Sequence, residues 1–149
     1  MLRSVVGIPL SLPRILVVED KPADTLLIRM MLTKILGEHF FDVLTDGQAA
    51  LKFVSDHRSG TLQSEPCVIV VDLHLPKHNG LEVLEAVRLA PALEHISVII
   101  LSSVAAPKEV DRVEELGAFY RRKPFDLPEF EELAKFISDV CRGHVAAKA

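Results

Sequence analysis

Four places in this sequence carry chemically active side chains in one shared context: each follows a short apolar run. Glu19-Asp20 follows Ile15-Leu16-Val17-Val18, Asp72 follows Val68-Ile69-Val70-Val71, and Ser102-Ser103 follows Val98-Ile99-Ile100-Leu101. Lys123-Pro124 comes just after a weaker run, Ala118 to Arg121. One polar residue at the end of an apolar run is ordinary solvent exposure. Acids, a hydroxyl and an amine at the ends of several runs form a complementary set. Carboxylates brought together repel one another and call for a cation. A small set of oxygen ligands suits Mg²⁺, which keeps several waters and leaves room for a phosphate oxygen. Together with the Lys123 ammonium, such an ion would neutralise Glu19, Asp20 and Asp72 and admit an anionic phosphoryl group. Asp72 is then placed as a carboxylate nucleophile, with Lys123 and Ser102 stabilising charge on the group in transfer.

The elements that must position these residues can be read from the pattern. The three strong runs are rich in β-branched residues and do not alternate with polar ones, as expected of strands buried on both faces. Phe40 to Thr45 and Ala118 to Arg121 are expected as two further strands. Between them lie helical patterns. The first opens at Pro22, carries Leu27, Met30, Met31 and Ile35, and stops at Gly37. The second spans Gly47 to Asp56 with Asp46 as N-cap, and the third follows Gly80 with Leu81, Leu84 and Val87. The fourth spans Pro107 to Leu116, is highly charged, and ends at Gly117. The fifth begins near Asp126 and repeats Leu127, Phe130, Leu133, Ile137 and Val140. Five βα units with right-handed crossovers predict an α/β, flavodoxin-like, doubly wound parallel sheet of order 2-1-3-4-5. In such sheets ligands bind outside the carboxyl ends of the strands, which is where the polar set falls.

Composition narrows the function classes. The 149 residues suit one domain, and 49% apolar content is enough to bury a core. The formal net charge is −4 with no basic block, which argues against nucleic acid as a direct partner. No apolar run approaches the length needed to span a membrane. Residues 1–13 read as an N-terminal extension, not a signal peptide, because Gly7 and Pro9 interrupt the apolar stretch. Residues 14–142 form the domain, and 143–149 read as a flexible tail. Cys67 and Cys141 lack metal-site spacing and are expected to be reduced, as in a cytoplasmic protein. The polar stretch Ser55 to Glu65 is expected to be a surface loop.

The motifs Ile15 to Asp20 (ILVVED), Val70 to Pro76 (VVDLHLP) with Gly80, Val98 to Ser103 (VIILSS), Leu116 to Ala118 (LGA) and Lys123 to Phe125 (KPF) together resemble the receiver domain of two-component response regulators. The resemblance covers about Arg14 to Val140. It implies that Asp72 is the phosphoacceptor, and that Glu19, Asp20, Asp72 and the backbone carbonyl of His74 hold Mg²⁺. It further implies that Ser102 and Lys123 contact the phosphoryl group, that Ser102 and Tyr120 form a switch, and that the Lys123–Pro124 bond is cis. A sensor histidine kinase is the implied donor in a phosphorelay, and a histidine phosphotransfer protein is compatible with it. The long loop after the second helix and the segments EDKPAD, LPKHNG and KPFDLPEF are similar to stand-alone regulators that partner phytochrome-type kinases. That similarity implies a light-sensing kinase and a homodimer through the fifth helix.

Some positions are less usual. His74 is expected either as a solvated rim residue or as a group that alters how water reaches an acyl phosphate. Lys21 either offsets the acidic pair or is simply solvated, and His78 is expected to be exposed. Among other readings, a flavodoxin would need phosphate-binding Gly, Ser or Thr after the first strand, and a dinucleotide fold would need a Gly-rich turn there. A phosphohydrolase of the haloacid dehalogenase type expects an acid where His74 stands. The reading reached is a signalling module and not an enzyme acting on a separate metabolite, with output by protein contacts because no output domain is expected after the fifth helix. An interaction module that does not use phosphate is the alternative.

Overall fold

The computed structural model describes residues 12–60 and 65–147. Ten elements alternate: β1 (Arg14–Val18), α1 (Pro22–Leu36), β2 (Phe40–Leu44), α2 (Gly47–His57), β3 (Val68–Asp72), α3 (Gly80–Leu89), β4 (Ser97–Ser102), α4 (Pro107–Glu115), β5 (Phe119–Arg122) and α5 (Leu127–Cys141). The five strands form one parallel sheet of order β2-β1-β3-β4-β5, as the sequence predicts.

The absence of polar alternation in the central strands follows from two-sided burial. Leu16, Val18, Ile69, Val71, Val98 and Ile100 face one core, closed by Val54 of α2, Val83, Leu84 and Val87 of α3, and Val113 of α4. Their neighbours Ile15, Val17, Val68, Val70, Ile99 and Leu101 face the other, closed by Ile28 and Leu32 of α1 and by Phe130, Leu133, Ile137 and Val140 of α5. Successive side chains of a strand point to opposite faces, so both phases of each run are apolar. Complete burial of one such aliphatic side chain stabilises the fold by roughly 1.5–3 kcal/mol.

Local signals set the helix ends. Pro22 opens α1, and Gly37 closes it with φ 75°. Asp46 caps α2 by accepting from Ala49 N at 2.7 Å. Asn79 and Glu82 form a reciprocal capping box at the start of α3, with Glu82 N donating to Asn79 Oδ1 at 3.0 Å and Asn79 N to Glu82 Oε1 at 3.2 Å.

Several expectations are corrected. The α1 core positions are Ile28 and Leu32, with Leu27, Met31 and Ile35 partly buried; Met30 is exposed, as is Leu127 at the start of α5. The helical stripe is rotated because α1 packs chiefly against α5. Cys67 and Cys141 are not free thiols: they form a disulfide with Cα atoms 5.0 Å apart, a separation within the usual range. Cys67 immediately precedes β3 and Cys141 ends α5, and packing of α5 on the sheet brings together two residues 74 apart in sequence. The Lys123–Pro124 bond is trans, since no peptide bond among the described residues is cis. Trans is the favoured X-Pro isomer, and the turn into α5 closes with it: Phe125 N donates to Glu129 Oε1 at 2.8 Å and Glu129 N to Asp126 Oδ1 at 2.9 Å.

The expected extension 1–13 lies almost wholly outside the described residues, as do residues 61–64 of the expected loop and 148–149 of the expected tail. The described part of that loop is partly helical, because α2 continues to His57. The described part of the tail starts with Gly143 at φ 75°, and His144 N donates back to Asp139 O at 2.8 Å.

Candidate phosphoacceptor and metal site

The strand ends deliver the polar set to one edge of the sheet. Asp72 is the last residue of β3 and Ser102 the last of β4, while Glu19 directly follows β1 and Lys123 directly follows β5. The register of parallel pairing keeps these ends level: Val18 pairs with Val71, Asp72 with Leu101, and Ser102 with Arg122.

Three of these groups are deeply placed. Glu19 is 2% exposed, Asp72 4% and Ser102 0%. Lys123 Nζ lies 2.7 Å from Glu19 Oε1, 3.1 Å from Asp72 Oδ2 and 3.3 Å from Asp24 Oδ2. Asp72 Oδ1 accepts from His74 N at 3.1 Å, and Glu19 Oε2 accepts from Lys21 N at 3.1 Å. Asp20 is exposed at the mouth. Glu19, Asp20 and Asp72 each offer a carboxylate oxygen, and these oxygens all lie within 4.8 Å of one another.

Electrostatics follow from burial. Loss of water pushes the Glu19 carboxyl up to about 7; the hydrogen bond from Lys123 opposes that rise and the charge of Asp72 adds to it. For Lys123, burial works against the charged form, but hydrogen bonds to Glu19 and Asp72 outweigh it and hold the ammonium above the ordinary lysine range. The lysine is a fixed cation beside Asp72.

The donor set fits a hard divalent cation. Glu19 Oε1 is buried, and the Lys123 ammonium at 2.7 Å is the one partner it has among the described residues. An underused carboxylate oxygen beside two further carboxylates is the oxygen-rich chemistry that Mg²⁺ or Mn²⁺ takes.

Ser102 and Tyr120 are placed differently from each other. The Ser102 hydroxyl donates to the carbonyl oxygen of Val104, and Val104 N donates to Ser102 Oγ at 3.1 Å. Tyr120, in β5, is half-buried against the α2–α3–α4 core. His74 is exposed, yet its ring is anchored, Nε2 lying 2.8 Å from Val104 O. Lys21 is exposed and contributes its backbone N–H, and half-buried His78 places Nδ1 3.1 Å from Glu82 Oε2.

Two contributors escape a reading of the sequence. Asp24 reads as an ordinary acid in the first turn of a helix, and only the fold carries it to Lys123. The segment 73–79 is held by backbone bonds, with Leu73 N donating to Leu101 O at 2.7 Å, Gly80 N to Leu73 O at 2.8 Å and Gly47 N to Pro76 O at 3.1 Å. Within it Lys77 takes a left-handed φ of 73°, and its ammonium lies 3.5 Å from Asp46.

A doubly wound sheet with this acidic edge and an adjacent lysine is the arrangement of a receiver domain. The family model for the response regulator receiver domain matches residues 15–135, and the chain belongs to that family. Receiver domains are in general signalling modules, not metabolic enzymes, and bind Mg²⁺ or Mn²⁺ at an acidic pocket. Among relatives, the chain is 36% identical over 89 residues to the response regulator Rcp1 of Synechocystis sp., a match spanning 60% of either chain. The Mn²⁺-bound structure of Rcp1 is similar with a TM-score of 0.74 and 28% identity, covering 92% of this chain and 100% of that one. The phosphorylated cyanobacterial phytochrome response regulator RcpA aligns with a TM-score of 0.78 at 27% identity, covering 93% of this chain and all of that one. The bacteriophytochrome response regulator RtBRR aligns with a TM-score of 0.67 at 36% identity, covering 87% and 78%.

Among the described residues no helix is long and apolar enough to cross a membrane.

Proposed function

We propose that Asp72 accepts a phosphoryl group from a phosphohistidine of a sensor kinase, and that the chain signals as a response regulator in a two-component phosphorelay. The observation that carries this reading is the buried Asp72 carboxylate with Lys123 Nζ at 3.1 Å and two further carboxylates close by. In the transfer a carboxylate oxygen of Asp72 bonds to phosphorus, the phosphorus–nitrogen bond breaks, and the donor imidazole leaves. Glu19, Asp20, Asp72 and the backbone carbonyl of His74 would hold Mg²⁺. When bound, that ion supplies positive charge against the phosphoryl oxygens. Lys123 binds and orients the anion from the β5 side, and the Ser102 hydroxyl is the donor for one phosphoryl oxygen once released from Val104. Tyr120 senses that release as the second member of the switch. The same site admits water for hydrolysis of the acyl phosphate, so the protein assists its own dephosphorylation without acting on a separate metabolite.

The names of Rcp1, RcpA and RtBRR support a phytochrome-type kinase as donor. Residues 14–142 act as the receiver unit in the cytoplasm, signalling by protein contacts. A homodimer through α5 and exchange with a histidine phosphotransfer protein fit the same reading, and neither nucleic acid nor membrane is a partner.

The test is intact mass after incubation with Mg²⁺ and acetyl phosphate. Wild type gains one phosphoryl group and Asp72→Asn gains none. Addition to both would move the site elsewhere.

A further inference from the structure

The Val104 carbonyl oxygen accepts from two sides. It takes the proton of the Ser102 hydroxyl, and His74 Nε2 lies 2.8 Å from it. A carbonyl oxygen only accepts, so this contact requires His74 to carry its proton on Nε2. His74 is also tied to the acceptor, since its backbone N donates to Asp72 Oδ1 at 3.1 Å. One residue thus joins the segment that follows Asp72 to the loop that follows β4. A serine hydroxyl has a single proton, and here that proton is committed to Val104. Val104 is 75% exposed, so packing does little to fix this residue, and the hydrogen bonds to its backbone set its place.

We propose that His74 is a positioning residue that latches the segment after β4 in the resting state, through the same carbonyl that occupies the Ser102 hydroxyl. The inference rests on the phosphoacceptor reading of Asp72. For Ser102 to bond a phosphoryl oxygen, its bond to Val104 must break, and the His74 contact opposes the loop movement that accompanies the break. The latch is therefore a brake on the phosphorylated arrangement, and its strength is that of one net hydrogen bond.

The test uses beryllium fluoride as phosphoryl mimic, titrated by calorimetry in the presence of Mg²⁺. His74→Phe keeps a flat ring and removes the donor, and His74→Leu removes it without an aromatic ring. Both variants are expected to bind the mimic about 2- to 10-fold more tightly than wild type, the range for one net hydrogen bond. In a Ser102→Ala background, which has no hydroxyl to release, the gain from His74→Phe should disappear. In ¹⁵N-labelled wild type, the His74 Nε2–H signal should be present at rest and shift on adding the mimic. Equal affinity in wild type and both His74 variants would overturn the latch while leaving the Asp72 reading intact. An undiminished gain in the Ser102→Ala background would overturn it too, by separating His74 from Ser102. Failure of wild type itself to bind the mimic, matching Asp72→Asn, would bring down both readings together.

Discussion

Lys123 Nζ stands 2.7 Å from Glu19 Oε1 and 3.1 Å from Asp72 Oδ2, so a single ammonium serves both a proposed metal-holding acid and the proposed nucleophile. Asp24 adds a third carboxylate at 3.3 Å. With this sharing, a divalent cation held by the same acids would compete with the lysine for their oxygens.

Lys123→Gln removes the cation from that cluster. Leaving a buried charge unpaired costs roughly 3–5 kcal/mol, and proton uptake by Glu19 limits the loss here. The expected outcome is a lower urea midpoint in metal-free buffer, recovered in large part by millimolar Mg²⁺, together with greatly reduced phosphorylation by acetyl phosphate.

Glu19 gives a pH dependence with a definite sign. Its carboxyl is raised from 4.5 to about 7 in the fold, so the unfolded chain releases this proton first. The metal-free protein is therefore most favoured, with respect to Glu19, below the unfolded value, and loses that contribution as pH rises from 4.5 to about 7. The loss is on the order of 3 kcal/mol, less whatever solvent screening removes. Urea denaturation between pH 5 and 8 measures it. Glu19→Gln should flatten the slope, and Mg²⁺ affinity of wild type should rise as pH passes through the same window.

Much of this site can be read from the amino-acid sequence because its residues sit where buried parallel strands end. Ile15–Val18, Val68–Val71 and Val98–Leu101 are apolar in both phases, and the fold buries every one of them. The edge strand β2 is a weaker signal because Phe40 and Val43 are exposed. The α2 cap was readable as Asp46 directly before the helical pattern, and it accepts from Ala49 N. Asp24 and the His74–Val104 contact were not, since each depends on how separate loops meet. The Cys67–Cys141 bond was equally hidden, because a separation of 74 residues says nothing about distance until α5 is docked.

The disulfide should be measurable as stability. Closing a long loop in the unfolded chain typically contributes about 2–4 kcal/mol. Cys141→Ser, and wild type under strong reductant, are expected to melt at lower temperature than the oxidised protein by circular dichroism, with phosphorylation of Asp72 retained. Identical melting curves would show that the bond adds nothing.

Gly80 is the position where a small change should do most damage. A Cβ there would lie 2.5 Å from Asp72 O and 2.9 Å from Leu73 Cα. Gly80→Ala must displace backbone beside the acceptor, at a cost of roughly 1–3 kcal/mol. A lower urea midpoint and slower phosphorylation are expected, whereas an alanine at Gly60, which has open space around it, should leave the phosphorylation rate unchanged.

Gly80 has a counterpart in Gly47, where a Cβ would collide with the backbone of His78. Two neighbouring helices thus begin hard against the segment that follows Asp72. That bank of the cleft has no room to give at Gly47 or Gly80 without moving backbone. On the proposed phosphoacceptor reading, the room to respond to a phosphoryl group would lie across the site in residues 103–106, where Ser103 and Val104 lie open to solvent. The molecule would then resemble a balance with one pan bolted down, its proposed deflection appearing on the solvent-facing side.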